Sequence, residues 1–359
     1  MLTRSLPRKP SLVHLKHQAA DLLNAHAARD PQALHRLREF HPRFRGFSDE
    51  VIAAAPLKLS DALFAIAREY GFPSWPRLKA FVEDDLRDVL NLPAHERIND
   101  PVFRRAVDLM DAGAAEELRT HLRRNPRLVR RRVDLLGGNY FQSPTLLEFI
   151  AENPTRRGSL PANAGEIATV ILDAGAAKYR ASVDSALALV ASSSVARETG
   201  VQRDLIRVLC AYGADPDTGV LPALLYGEFD GVDALFTHGA RMTLIPAAAL
   251  GKADDVRSLV GSASDDERRL ALALAAQHGQ TQAVRLLLEA GVDANGFIPV
   301  EGHAHSTALH QAALAGNEEI ARLLLERGAL RDVRDILHNA TPAEWAEYAG
   351  HAGLAALLR

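Results

Sequence analysis

A terminating glycine recurs along this chain at a fixed interval behind an apolar stripe of helical period. Gly316 and Gly328 stand twelve residues apart, as do Gly279 and Gly291, and Gly227 and Gly239. Between the members of each pair lie residues such as Ile320, Leu323 and Leu324, spaced to share one helix face. Glycine ends a helix well because it accepts the left-handed conformation of a tight C-terminal turn. The interval therefore reads as one short helix ending at the first glycine and a second ending at the next. A unit of this size cannot bury its apolar face alone, so copies must stack.

The fullest copy runs Thr307–Gly316 and Ile320–Ala329, and its capping phrase returns as Thr341–Gly350, with Pro342 at a first helical position. Other copies end at Gly175 and Gly213, and a degenerate form spans Thr145–Asn153. Gly239 to Gly291 must hold two units, the first of them short (Leu244–Val260). On these residues, and on Ala283–Asn295, the chain resembles the ankyrin-repeat family over roughly residues 98 to 359. The resemblance implies an all-α, ankyrin-type helical solenoid of about seven or eight units. It also implies short β-hairpin fingers along one edge and a concave surface built from the fingers and the inner helices. Extra residues at Pro154–Ala164, Ser192–Gly200 and Phe297–His305 read as insertions on one face.

Residues 1–97 read as an N-terminal helical cap with a divergent repeat, and 98–359 as the repeat solenoid. Ser11 caps a first helix, Pro31 opens a second, and Leu57–Val82 holds two helices separated by Gly71-Phe72-Pro73. In that divergent unit Ser60 takes the capping position. The segments Leu12–Leu23 and Leu57–Val82 also look similar to the openings of many bacterial ankyrin-repeat proteins, which points to a bacterial source.

Of 359 residues, 47% are hydrophobic and 6% aromatic, a balance suited to close-packed helices rich in Ala and Leu. A net charge of −3 argues against a whole-molecule nucleic-acid binder. The densest basic run, Arg119–Arg132, lacks interleaved aromatics and carries Leu118, Leu122 and Val129 at core spacing. It reads as a solvated helix face. One cysteine, Cys210, excludes an intrachain disulfide and fits a reducing compartment. No stretch is long and apolar enough to span a bilayer, and the N-terminus has no secretory apolar core. These features give a cytoplasmic expectation.

Candidate functional residues follow from position. Residues just before each inner-helix glycine face the groove in ankyrin proteins, so the resemblance implies Tyr226, His278, Leu314 and Tyr348, with Gln311 and Trp345 on the same helices and His303 in a finger. Aromatics beside amides and carboxylates suit a protein or peptide partner bound without catalysis. The rival reading is an enzyme or small-molecule pocket using Glu148 or Glu152 as general base beside Tyr140. No nucleophile elbow, phosphate loop or dinucleotide fingerprint supports it, and no cofactor is expected. His303 and His305 alternate, so on a strand they share a side. They would bind Zn²⁺ or Ni²⁺ only if a neighbouring finger supplied a third ligand. His310 is committed to the repeat framework in the Thr-x-x-His phrase.

Overall fold

The computed structural model describes residues 6, 11–83, 94–98, 100–135, 143–299 and 305–359. It falls into two compact units, Met1–Arg104 with Arg132–Pro144, and Arg105–Arg131 with Thr145–Arg359. Among the described residues no helix is long and apolar enough to cross a membrane.

In the first unit, Leu12–Ala27, Pro31–Phe40, Asp49–Ala54, Leu59–Glu69 and Trp75–Glu83 are α-helices. The Ser11 hydroxyl accepts from the His14 N–H, and Asp30 caps the next helix ahead of Pro31 at its first turn. Ser60 does not cap the third of the expected helices. That helix starts two residues earlier, at Leu59, and the Asp61 carboxylate takes the Lys58 N–H at 2.8 Å. Leu15, Ala19 and Leu22 are buried with Leu37, Phe44, Ile66 and Leu78. Arg36 grips the buried Glu69 through two bonds of 2.6 and 2.8 Å.

The second unit is a stack of helical hairpins. Within it the inner helices Leu244–Ala249, Asp265–Gln277, Ala308–Leu314 and Pro342–Tyr348 pack in sequence on one another. The outer helices Ala253–Leu259, Thr281–Glu289 and Glu318–Glu326 form a second layer in the same order. Small residues let the inner layer close up: Ala247, Ala248, Ala271, Ala275, Ala312 and Ala346 are fully buried. The short unit read at Leu244–Val260 is present, with an inner helix of only six residues. The 13-residue helix after it overshoots. Its end then reaches the unit before the short one, where Gln277 Nε2 and His278 Nε2 donate to the carbonyls of Leu225 and Leu224 at 3.0 and 2.8 Å.

Every glycine named as an inner-helix terminator in the last repeats has positive φ: +72° at Gly279, +71° at Gly316 and +85° at Gly350. At Gly316 the missing side chain matters a second time, because an added Cβ would stand 2.6 Å from the His351 ring.

Among the described residues the fingers contain no extended sheet. Phe297 and Thr307 form an isolated antiparallel bridge, supported by the Ile298 N–H donating to the Ser306 carbonyl. Of the insertions, Ser192–Gly200 is more ordered than a loop. It holds the helix Ser194–Glu198, capped by Ser193 and tied back by Gln202 Nε2 to the Val190 and Ala191 carbonyls. The Pro154–Ala164 segment is organised by the Glu152 carboxylate, which accepts from the N–H groups of Arg156, Arg157 and Gly158. In the basic run, Leu118 and Leu122 are buried while Arg119 pairs with Glu116 on the exposed side of the same helix, as a solvated face requires.

Candidate functional site

The last two inner helices are started by capping residues. At Thr341 the box is reciprocal: the Thr341 N–H donates to Glu344 at 2.6 Å, and the Glu344 N–H donates to the Thr341 hydroxyl at 3.3 Å. At Thr307 a histidine takes the carboxylate's place. His310 Nδ1 accepts from the Thr307 N–H and hydroxyl at 3.2 and 2.9 Å. Its Nε2 donates to the Ala340 carbonyl at 3.2 Å, which joins two neighbouring units. Burial holds this imidazole below its ordinary pKa, so the neutral form with the proton on Nε2 is the one the framework uses.

The segment between these helices is a turn ordered by Asp335. Its Oδ1 accepts from the N–H groups of Leu337 and His338 at 2.9 and 2.7 Å. Its Oδ2 accepts from the Ala340 N–H and the Trp345 indole N–H, both at 3.0 Å. The carboxylate is buried, yet these donors keep its pKa below the usual range against the opposing effect of desolvation. The Ile336 N–H donates to the His305 carbonyl at 2.8 Å, which fastens this finger to the preceding one.

Together these elements shape a cleft of about 460 Å³ lined by His305, Leu314, His338, Ala340, Glu344, Trp345 and Tyr348. Trp345 forms its base, half-buried, with ring centroids 5.1 Å from His310 and 5.7 Å from His305. Leu314 is 40% exposed and Tyr348 89% exposed.

The residues expected in the groove separate into groups. Leu314, Trp345 and Tyr348 meet in this cleft. His278 instead lies edge-on to Phe229, with centroids 5.0 Å apart, and is bonded to Leu224. Tyr226 is exposed at the end of the helix Asp217–Leu225. Gln311 is turned inward: it is buried and donates to the Ser306 hydroxyl at 3.0 Å, so it is framework and not groove surface. His303 and Tyr140 lie outside the described residues.

The carboxylates considered as bases are engaged in the fold. Glu148 accepts from the Thr145 N–H and hydroxyl at 2.5 and 2.8 Å and from the Ser185 hydroxyl at 2.6 Å. Glu152 is buried against Arg156, which also forks onto Asp111 at 2.9 and 3.1 Å. Neither lines the cleft. Sequence reasoning missed Asp335 and His338. The signal was there as Asp335-Ile336-Leu337-His338, an aspartate placed to cap the N–H groups two and three residues on.

The stacked hairpins with capped inner helices and left-handed glycines define a helical repeat array. Residues 244–335 match the family model of ankyrin repeats in three copies, so that region is built of ankyrin repeats. One stretch of 64 residues is 45% identical to part of the potassium channel AKT3 of Oryza sativa subsp. japonica. That stretch is 18% of this chain and 7% of the channel. The likeness therefore covers a small part of a much longer protein.

Proposed function

We propose that the chain is a non-catalytic recognition scaffold, and that it binds an extended segment of a protein partner across the cleft at Trp345. The observation that carries this reading is the pair of exposed apolar side chains flanking the cleft, Leu314 and Tyr348. A folded chain gains by burying such groups, and an aromatic held at 89% exposure on a rigid helix end is placed for a partner. The scaffold beneath them is preorganised by capping boxes and the Asp335 turn, so little ordering is lost on binding. Trp345 offers a hydrophobic floor, while His305, His338 and Glu344 supply a polar rim. Ankyrin repeats commonly serve protein–protein interaction, and this arrangement supports that use here. The enzymatic alternative needs Glu148 or Glu152 at a solvent-facing pocket, and both are committed to internal partners.

The test is selection of peptides from a displayed library on the full chain, followed by binding titrations with Tyr348→Ala and Leu314→Ser. Both positions are exposed, so the variants should melt like the parent. Selected peptides should lose at least tenfold in affinity to either variant and nothing to Tyr226→Ala. Peptides that bind all three variants equally would refute the assignment.

A further inference from the structure

Two rim histidines of the cleft also belong to a cluster with the chemistry of a metal site. One donor atom each from His305, Asp335 and His338 lie within 4.8 Å of one another. The two imidazole rings have centroids 6.1 Å apart and stand at 88°. We propose that these three side chains form a site for one divalent transition-metal ion of the zinc class, bridging the last two fingers. The inference is independent of the peptide-binding reading, although the site borders the same cleft.

The donor set selects the ion. Two imidazole nitrogens and one carboxylate oxygen suit Zn²⁺, Ni²⁺ or Cu²⁺, whereas Mg²⁺ and Ca²⁺ prefer oxygen throughout. The geometry is close to what such an ion needs. With metal–ligand bonds of about 2.1 Å, neighbouring ligand atoms sit roughly 3.3 Å apart. Closing from within 4.8 Å takes a side-chain rotation, and His338 is exposed and unconfined enough to make it.

The backbone is already set. His305 and His338 belong to successive fingers, and the Ile336 N–H to His305 carbonyl bond fixes the spacing between those fingers. Asp335 is immobilised by its four donors, so its charge stands at the site without further ordering. An ion that takes one of the carboxylate's lone pairs competes with one of those four bonds. The Trp345 indole N–H is one of them, and that ring lies beside His305, so metal binding should be visible in Trp345 emission.

The other charged groups nearby are Glu344 and Arg334, which pair with each other at 3.4 Å, and His310, which is held neutral in the framework. None opposes a cation with an unpaired positive charge.

The experiment titrates Zn²⁺ into the full chain by calorimetry, alongside His338→Ala, His305→Ala and the control His351→Ala. The wild type and the control should bind one ion with the same affinity, and each of the other two variants should lose at least tenfold. In a Trp75→Phe background Trp345 is the single remaining tryptophan of the two in the chain. Its emission should be quenched saturably by Cu²⁺, and His338→Ala should abolish the quenching. If His305→Ala fails to fold, the exposed His338→Ala decides alone. The absence of saturable Zn²⁺ binding in the wild type, or wild-type affinity in His338→Ala, overturns the proposal.

Discussion

Gly316→Ala and Gly328→Ala look like the same substitution and should not cost the same. Both glycines have positive φ, +71° and +88°. An alanine forced into that region costs roughly 1–2 kcal/mol in the folded state. It recovers about 0.4–1 kcal/mol by restricting the unfolded chain. At Gly328 nothing lies within 4 Å of an added Cβ, so the backbone terms are the whole effect and the net loss should be about 1 kcal/mol. At Gly316 the Cβ would stand 2.6 Å from Cε1 and 2.8 Å from both nitrogens of the His351 ring. That ring is half-buried and on a short side chain, so it must leave its place. Overpacking of this kind costs about 1–3 kcal/mol, which brings Gly316→Ala to roughly 2–4 kcal/mol. The collision is a pairwise term. In a His351→Ala background the Gly316→Ala cost should therefore fall back to about 1 kcal/mol. Urea unfolding of the parent, the three single variants and the Gly316→Ala/His351→Ala double variant, followed by Trp345 fluorescence after Trp75→Phe, measures each step. Equal costs at the two glycines, or an excess at Gly316 that survives removal of His351, would refute the reasoning.

Three further outcomes follow from buried groups. Burial lowers the pKa of His278 and of His310, so the unfolded chain binds protons that the folded chain refuses. Stability should be flat above about pH 6.5 and decline as pH falls below it, and urea midpoints at pH 7.5, 6.5 and 5.5 check the sign. Arg156 has 2% side-chain exposure and lies between Asp111 and Glu152, so Arg156→Ala removes the buried cation and leaves Asp111 with Arg157 and Glu152 with its backbone donors. The loss should be about 3–5 kcal/mol by denaturant unfolding. The Cys210 thiol is pushed by burial from 9.0 to about 11, and its thiolate fraction at pH 7.5 is about a hundredfold lower than that of an unperturbed thiol. Alkylation by iodoacetamide should be slowed accordingly, and denaturant should restore it.

The stacking order was legible because it is written twice, in glycine spacing and in apolar period. Gly279, Gly316 and Gly350 end their helices where the interval places them, and Thr341 with Glu344 forms the box that the phrase implies. Position within the unit also located Leu314, Trp345 and Tyr348 on one cleft. What escaped the sequence depends on contacts between units. Gln311 lies on the same helix as Leu314, and only the burial of Ser306 decides that its amide turns inward. Glu148 and Glu152 look like spare acids until Ser185, Arg156 and Asp111 are seen around them. The Asp335 turn was hidden for another reason. It falls in a connecting segment, where no helical period marks the residues. The overreach of His278 across the short unit is likewise a product of unequal helix lengths.

The central claim is that recognition takes place at the cleft of the last repeats. Hydrogen–deuterium exchange on the full chain, with and without a saturating selected peptide, tests it most directly. The account predicts slowed exchange in residues 305–348, foremost at the ends of the helices Ala308–Leu314 and Pro342–Tyr348 and in the turn between them. Protection confined to other repeats, with this segment unchanged, would contradict it.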